Sequence, residues 1–201
     1  MIDAVSEAYS RRAAEYTELF GSMGAVHPSD RQLVSTWADG VDGQVIDAGC
    51  GPGHWTNFLA ERGLEARGID LVPEFIARAR SAYPGVSFEV GSLNTLDVET
   101  GTVGGVLSWY SLIHHDPSTI GIPLQEFNRV LRPGGMLLLG FFESPAIEGF
   151  AHAMAAAYRW PVSDLTEELT SAGFDVIETH TRTTTDQRPH AAIIARRASA
   201  E

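Results

Sequence analysis

Gly49, Gly51 and Gly53 alternate through the stretch VIDAGCGPGH (Val45–His54), with Asp47 just ahead of them. Glycine has no Cβ, so this spacing lets backbone N–H groups and the start of the following helix meet a ligand at close range. The same residues can equally do no more than make a tight turn or pack a helix on a strand. Asp70 tips the balance toward a ligand. It closes the next strand-like run, EARGID, where a carboxylate can accept hydrogen bonds from both hydroxyls of a ribose. One helix and one strand separate it from the glycines, which suits a nucleoside lying across the C-terminal edges of two neighbouring strands. A dinucleotide fingerprint, Gly-x-Gly-x-x-Gly counted from Gly49, requires glycine at position 54, where His54 stands.

Other chemistry-bearing residues are few. His114 follows the fourth expected strand and is the best-placed general base, its alternative role being a cap on the following turn. Trp109 and Tyr110 end that strand at the edge where open α/β sheets bind ligands, either as core or as pocket wall. Cys50 has no partner base in view and reads as a small packing residue. The seven histidines are scattered without metal-ligand spacing, so no metal site is expected.

The elements that must position these residues follow from periodicity. Val5, Tyr9, Ala13, Tyr16 and Phe20 form one apolar stripe on an N-terminal helix. A second helix spans about 31–37 and leads to a strand at Gln44–Ala48. Strand and helix signals then alternate: a helical face at Trp55, Phe58 and Leu59; EARGIDL; a helix opened by Pro73; VSFEV; VGGVLSWYSL; a helix through Leu124, Phe127 and Leu131; and MLLLGFF. Such alternation implies a parallel sheet with helical crossovers. The Ala-rich AHAMAAAY is expected to be a short helix in the connection Glu143–Trp160. A helix near 163–172 precedes FDVIETHTRT, and only the polar turn TDQRPH separates that strand from AAIIARR, so the last two strands must be antiparallel.

Composition narrows the function classes. The 201 residues are enough for one domain with a substantial core. A formal charge of −12 repels a phosphate backbone, which excludes nucleic acid as an expected partner. Cys50 is the single cysteine, which fits a reducing cytoplasm. The N-terminal stretch carries charge throughout and no run approaches the ~18 apolar residues of a membrane span. A cytoplasmic protein without a membrane partner, monomeric or homodimeric, is the expectation.

The pattern from Asp47 to Gly53 resembles the first motif of class I S-adenosylmethionine-dependent methyltransferases. GIDLVPEFIARAR is similar to their second-strand acidic motif, FEVGSL to the third-strand motif, EFNRVLRPGGMLLLGF to the segment entering the fifth strand, and GFDVIETHTRT with AAIIARR to the last two strands. YSLIHH and YSRRAAEYTELF resemble the stand-alone, small-molecule branch (methyltransferase type 11/25-like). The resemblance implies a Rossmann-like, mostly parallel seven-stranded sheet with helices on both faces and an antiparallel C-terminal hairpin, in one domain over 1–201 with residues 1–40 as a helical cap. It implies S-adenosylmethionine as cofactor, S-adenosylhomocysteine as product and a small-molecule acceptor methylated on O or N. The backbone of Gly49, Cys50, Gly51 and Gly53 would line the methionine portion, and Asp47 would orient the loop or reach the amino group through water. Asp70 would hold the ribose, Leu71 and Leu93 the adenine, with Tyr9 folding over the cofactor and Trp109 on its wall. The family usually has an acidic residue where this chain has Ser92, which can still accept from the adenine amino group. The connection Glu143–Trp160 would build an apolar or aromatic acceptor pocket. Rival readings are a non-catalytic module that binds the same nucleoside and an NAD-dependent oxidoreductase.

Overall fold

Apolar runs separated by helical stripes become, in the computed structural model, a sheet wrapped by helices; the structure describes residues 2–185 and 187–198. The strands are β1 (Val45–Ala48), β2 (Ala66–Asp70), β3 (Ser87–Val90), β4 (Val103–Trp109), β5 (Leu131–Phe142), β6 (Glu148–Ala151), β7 (Ala156–Arg159), β8 (Phe174–Thr184) and β9 (Gln187–Arg197). The helices are α1 (Ile2–Arg11), α2 (Ala13–Phe20), α3 (Pro28–Asp39), α4 (His54–Glu61), α5 (Pro73–Ala82), α6 (Gly121–Val130) and α7 (Val162–Ser171). Pro28 and Pro73 open α3 and α5 in the first turn, where a missing N–H leaves no bond unmade.

Seven strands form one sheet in the order β3-β2-β1-β4-β5-β9-β8. The first five are mutually parallel, and β9 is inserted antiparallel between β5 and β8. Alternate residues of a strand face opposite sides, and the core divides accordingly. Ile46, Val106, Leu137, Leu139 and Ile193 pack with Leu124 and Phe127 of α6 and Leu165 and Leu169 of α7. Val45, Leu107, Leu138 and Ile194 pack with Val34 and Trp37 of α3 and Trp55 and Leu59 of α4. Helices therefore cover both faces, as the alternation of signals predicts.

Leu131, expected in the helix, instead opens β5, which also takes in residues 132–135; two larger segments also depart from the expected elements. The N-terminal stripe is broken at Arg12, whose φ of −120° and ψ of 16° lie outside the helix, so α1 and α2 are separate. The side chain of Arg12 reaches Glu15 and the carbonyl of Ala153, holding the break from outside. AHAMAAAY is no helix. It contributes to an antiparallel hairpin, β6 with β7, in which Glu148 pairs with Arg159 in register and by an ion pair of 3.0 Å. Alanine's helix propensity is a weak preference. Here it yields to tertiary bonds: Tyr158 N–H donates to the Ile113 carbonyl at 2.7 Å, and the Ala156 carbonyl accepts from His114. The polar turn between β8 and β9 contains Asp186, which lies outside the described residues. Among the described residues, no helix is long and apolar enough to cross a membrane.

Candidate active site

Chain order reverses between β1 and β4, which lie side by side with β2 on one flank and β5 on the other. Loops leaving their C-terminal ends diverge and open a crevice. The glycine loop forms its floor. Gly49, Gly51 and Gly53 all have positive φ, +80°, +52° and +86°, a conformation that glycine adopts without strain. Their surroundings differ. A Cβ on Gly49 would fall 2.2 Å from that of Ser111, and one on Gly53 would fall 2.7 Å from the Phe88 ring. A Cβ on Gly51 would meet nothing within 4 Å. Packing excludes side chains at the outer two glycines, and only the middle one opens on free space. Gly53 also begins α4 without a side-chain cap, leaving first-turn N–H groups for a ligand.

Asp70 ties this loop to the end of β2. Its Oδ2 accepts from the Gly51 N–H and its Oδ1 from the Val72 N–H, each at 2.8 Å, and each oxygen retains a second lone pair. Burial pushes its pKa up to about 6 against the pull of these backbone donors. Asp47 lies beneath, 1% exposed, accepting from the Thr56 hydroxyl at 2.7 Å. Burial raises its pKa to about 7 despite that hydrogen bond, and the charge of Asp70 adds to the rise.

Two spaces adjoin over the loop. The first is a cleft running from Leu71, Ser92 and Leu93 past Asp70 to Gly49 and Trp109, with Tyr9 of α1 and Tyr16 of α2 on the opposite side. There the Tyr9 hydroxyl lies 2.9 Å from Nε2 of His114, whose Nδ1 lies 2.8 Å from the Ala156 carbonyl. A carbonyl can only accept, so Nδ1 carries the proton and Nε2 accepts from Tyr9. Burial lowers the His114 pKa, and burial raises the Tyr9 phenol far above its usual range. The second space shares Tyr9, Gly51, Trp109 and Tyr110 with the first and extends to Phe142, His152, Arg182 and His190. Tyr110 has φ of +57°, alone among the described non-glycine residues, a conformation that costs ~1–3 kcal/mol and persists only where surrounding contacts impose it. Its hydroxyl lies 2.5 Å from Nδ1 of His190.

Residues 45–135 match the model of a methyltransferase domain family. A malonyl-[acyl-carrier protein] O-methyltransferase of Erwinia billingiae is 26% identical over 78% of this chain and 59% of its own length. A ubiquinone biosynthesis O-methyltransferase of Xanthomonas oryzae pv. oryzae is 33% identical over 67% of this chain and 57% of its own. The 1,6-didemethyltoxoflavin-N1-methyltransferase of Burkholderia thailandensis, solved with 1,6-didemethyltoxoflavin and S-adenosylhomocysteine bound, superposes with a TM-score of 0.81. It is 23% identical, with 98% of this chain and 89% of that one covered. Over those matched residues, 45–135, the chain is a methyltransferase domain. It spans somewhat under two thirds of the length of the two curated relatives.

Most residues that the family motifs single out come together. Asp70, Leu71, Ser92 and Leu93 line the cleft along one side, and Tyr9, Trp109 and His114 along the other. Trp109 is both wall and core, since it also packs on the α3–α4 side of the sheet. Ser92 reaches the cleft with its hydroxyl accepting from the Asn94 N–H at 3.2 Å. Cys50 turns its thiol toward Ile76, Ala79 and Phe88, and burial raises its pKa, as befits a packing residue. Asp47 and Cys50 border the second space, not the first. His114 and His115 both line the cleft, their segment being a turn and not an extended strand. Sequence reasoning misses Asp30, Arg182 and His190. They come from α3, β8 and β9, and no local spacing links them.

Proposed function

We propose that this chain binds S-adenosylmethionine in the first cleft and transfers its methyl group to a small-molecule acceptor, on O or N, in the adjoining space. The observation that carries the reading is the open Cβ position of Gly51 beside Asp70, a backbone cradle next to a carboxylate at the switch point of the sheet. Bound S-adenosylmethionine supplies a methyl group on a positively charged sulfur, an electrophile suited to in-line displacement. Asp70 accepts from the ribose hydroxyls on its spare lone pairs, Leu71 and Leu93 flank the adenine, and Ser92 meets its amino group. Asp47 holds the glycine loop from beneath through Thr56. Helices α1 to α3 act as the cap.

Tyr9 borders both spaces, whereas His114 borders only the cleft. A proton leaving the acceptor therefore reaches His114 through the Tyr9 hydroxyl: the phenol oxygen takes it while the phenol's own proton moves to Nε2. The resulting imidazolium keeps Nδ1–H on the Ala156 carbonyl. Such a base contributes typically 10²–10⁴-fold. A reducing cytoplasm suits the lone buried thiol. Transfer of tritium from labelled S-adenosylmethionine into a panel of small phenols, amines and acids tests the reading. Labelled product is expected. Tight cofactor binding without transfer into any member would favour the non-catalytic module instead.

A further inference from the structure

The second space has its own chemistry, and it discriminates among acceptors. Its floor and back wall are aromatic: Trp109 and Tyr110 meet edge-to-face at 5.5 Å, and Tyr110 and Phe142 lie 5.0 Å apart. Its far side carries one cation and one anion, and they are engaged with each other. Arg182 Nη2 donates to both carboxylate oxygens of Asp30, at 3.1 and 2.9 Å, with each side chain only 18% exposed. A fixed, desolvated ion pair presents dipoles to a ligand but little net charge. Of the histidines, His27 is committed as the N-cap of α3, accepting the Ser29 N–H on Nδ1. Burial lowers the pKa of His54, His152 and His190, so these rings face the space uncharged near neutral pH. Arg188 is held over the Phe150 ring at 4.9 Å, outside the lining.

We propose that this space is the acceptor site for an uncharged, planar aromatic or heteroaromatic molecule bearing a hydroxyl or ring N–H, stacked against Trp109, Tyr110 and Phe142 and read by the Tyr110–His190 hydrogen-bonded pair. It rests on the methyl-transfer reading above and gives that reading a substrate class. Two observations point the same way. The left-handed backbone at Tyr110 turns its phenol toward β9, where His190 fixes it at 2.5 Å, so a donor–acceptor pair stands ready at the edge of the aromatic wall. A carboxylate would instead face Asp30 and a guanidinium already engaged by it, and desolvating an anion without a matching cation is costly.

Matched probes test the class: 2-naphthol and 2-naphthoate, titrated at neutral pH into protein saturated with S-adenosylhomocysteine and followed by tryptophan fluorescence, since Trp55 and Trp109 line the space. The naphthol is expected to bind at least about tenfold more tightly than the naphthoate. Tyr110→Phe and His190→Ala should each weaken the naphthol about tenfold, and His190→Ala should leave S-adenosylhomocysteine affinity within about twofold, which also certifies its fold. Naphthoate binding as tightly as naphthol overturns the proposal, the more pointedly if Arg188→Ala abolishes it. So does naphthol binding that neither variant alters, or no binding of either probe. Failure of S-adenosylhomocysteine to bind in the first place would overturn the underlying reading, and this one with it.

Discussion

At the scale of single residues, the three loop glycines separate by what a methyl group would strike. Gly51→Ala adds a methyl to open space in the cleft, at a left-handed conformation costing about 1–2 kcal/mol. The variant is expected to fold with a lowered melting temperature and to lose at least about tenfold in S-adenosylhomocysteine affinity. Gly49→Ala drives a Cβ to 2.2 Å from Ser111 and should lose most of its stability. Full affinity in folded Gly51→Ala would remove the cradle from the account. Asp70 makes a second, pH-dependent prediction. Its pKa stands near 6 in the free protein, above the usual carboxylate value of ~3.9, so the charged acceptor is present above pH ~6 and lost as pH falls through it. Ribose hydroxyls favour the charged form, and the loss of such hydrogen bonds costs ~1.5–3 kcal/mol. S-adenosylhomocysteine affinity should therefore fall as pH drops from 7 toward 5, and Asp70→Asn should be weaker throughout and keep only the shallower part of that fall that Asp47, near 7, contributes. Asparagine is the better test than alanine, because Asp70 also holds the N–H groups of Gly51 and Val72. An Asp70→Asn profile that overlays the wild type would place the ribose elsewhere.

At the scale of elements, α1 is fastened to the β6–β7 hairpin and the turn after β4 by a few polar contacts. Tyr9 meets His114, His114 meets Ala156, and Arg12 meets the Ala153 carbonyl. On its inner side Tyr9 packs with Tyr16 and Phe75 at ring distances of 5.4 and 5.9 Å. Tyr9→Phe keeps that packing and deletes the hydroxyl. It should weaken cofactor binding by ~1 kcal/mol or less and slow methyl transfer by the larger factor expected of a broken proton path; equal turnover at saturating cofactor would rule out the relay. This fastening was only half legible in the sequence. Tyr9 stood on a readable helical stripe, strand ends announced Asp70 and Trp109, and the resemblance to the methyltransferase motifs pointed to Leu71 and Ser92. The hairpin was hidden because the stretch across its turn, AHAMAAAY, is Ala-rich, and nothing in Ala153 or Ala156 signals that their carbonyls bind Arg12 and His114. The stop at Arg12 was equally silent, for arginine is no helix breaker.

At the scale of the whole molecule, topology does most of the positioning. Parallel crossovers bring the ends of β1, β2 and β4 to one edge, and that much follows from the order of strand and helix signals. The antiparallel insertion of β9 is legible as well, because too few residues separate the last two strands for a crossover. What the sequence withholds is long-range: Asp30 and Arg182 are 152 positions apart and meet only because α3 packs beside β8 and β9. The second space, proposed above for the acceptor, is built from such pairs and the first cleft from contiguous motifs, and so the cofactor is read more easily than the acceptor. Calorimetry on the unmodified protein tests the cofactor side. S-adenosylhomocysteine and S-adenosylmethionine should bind at one site with affinity near −8 kcal/mol, on the order of micromolar, and NAD should bind far more weakly. NAD binding more tightly than either would contradict the account.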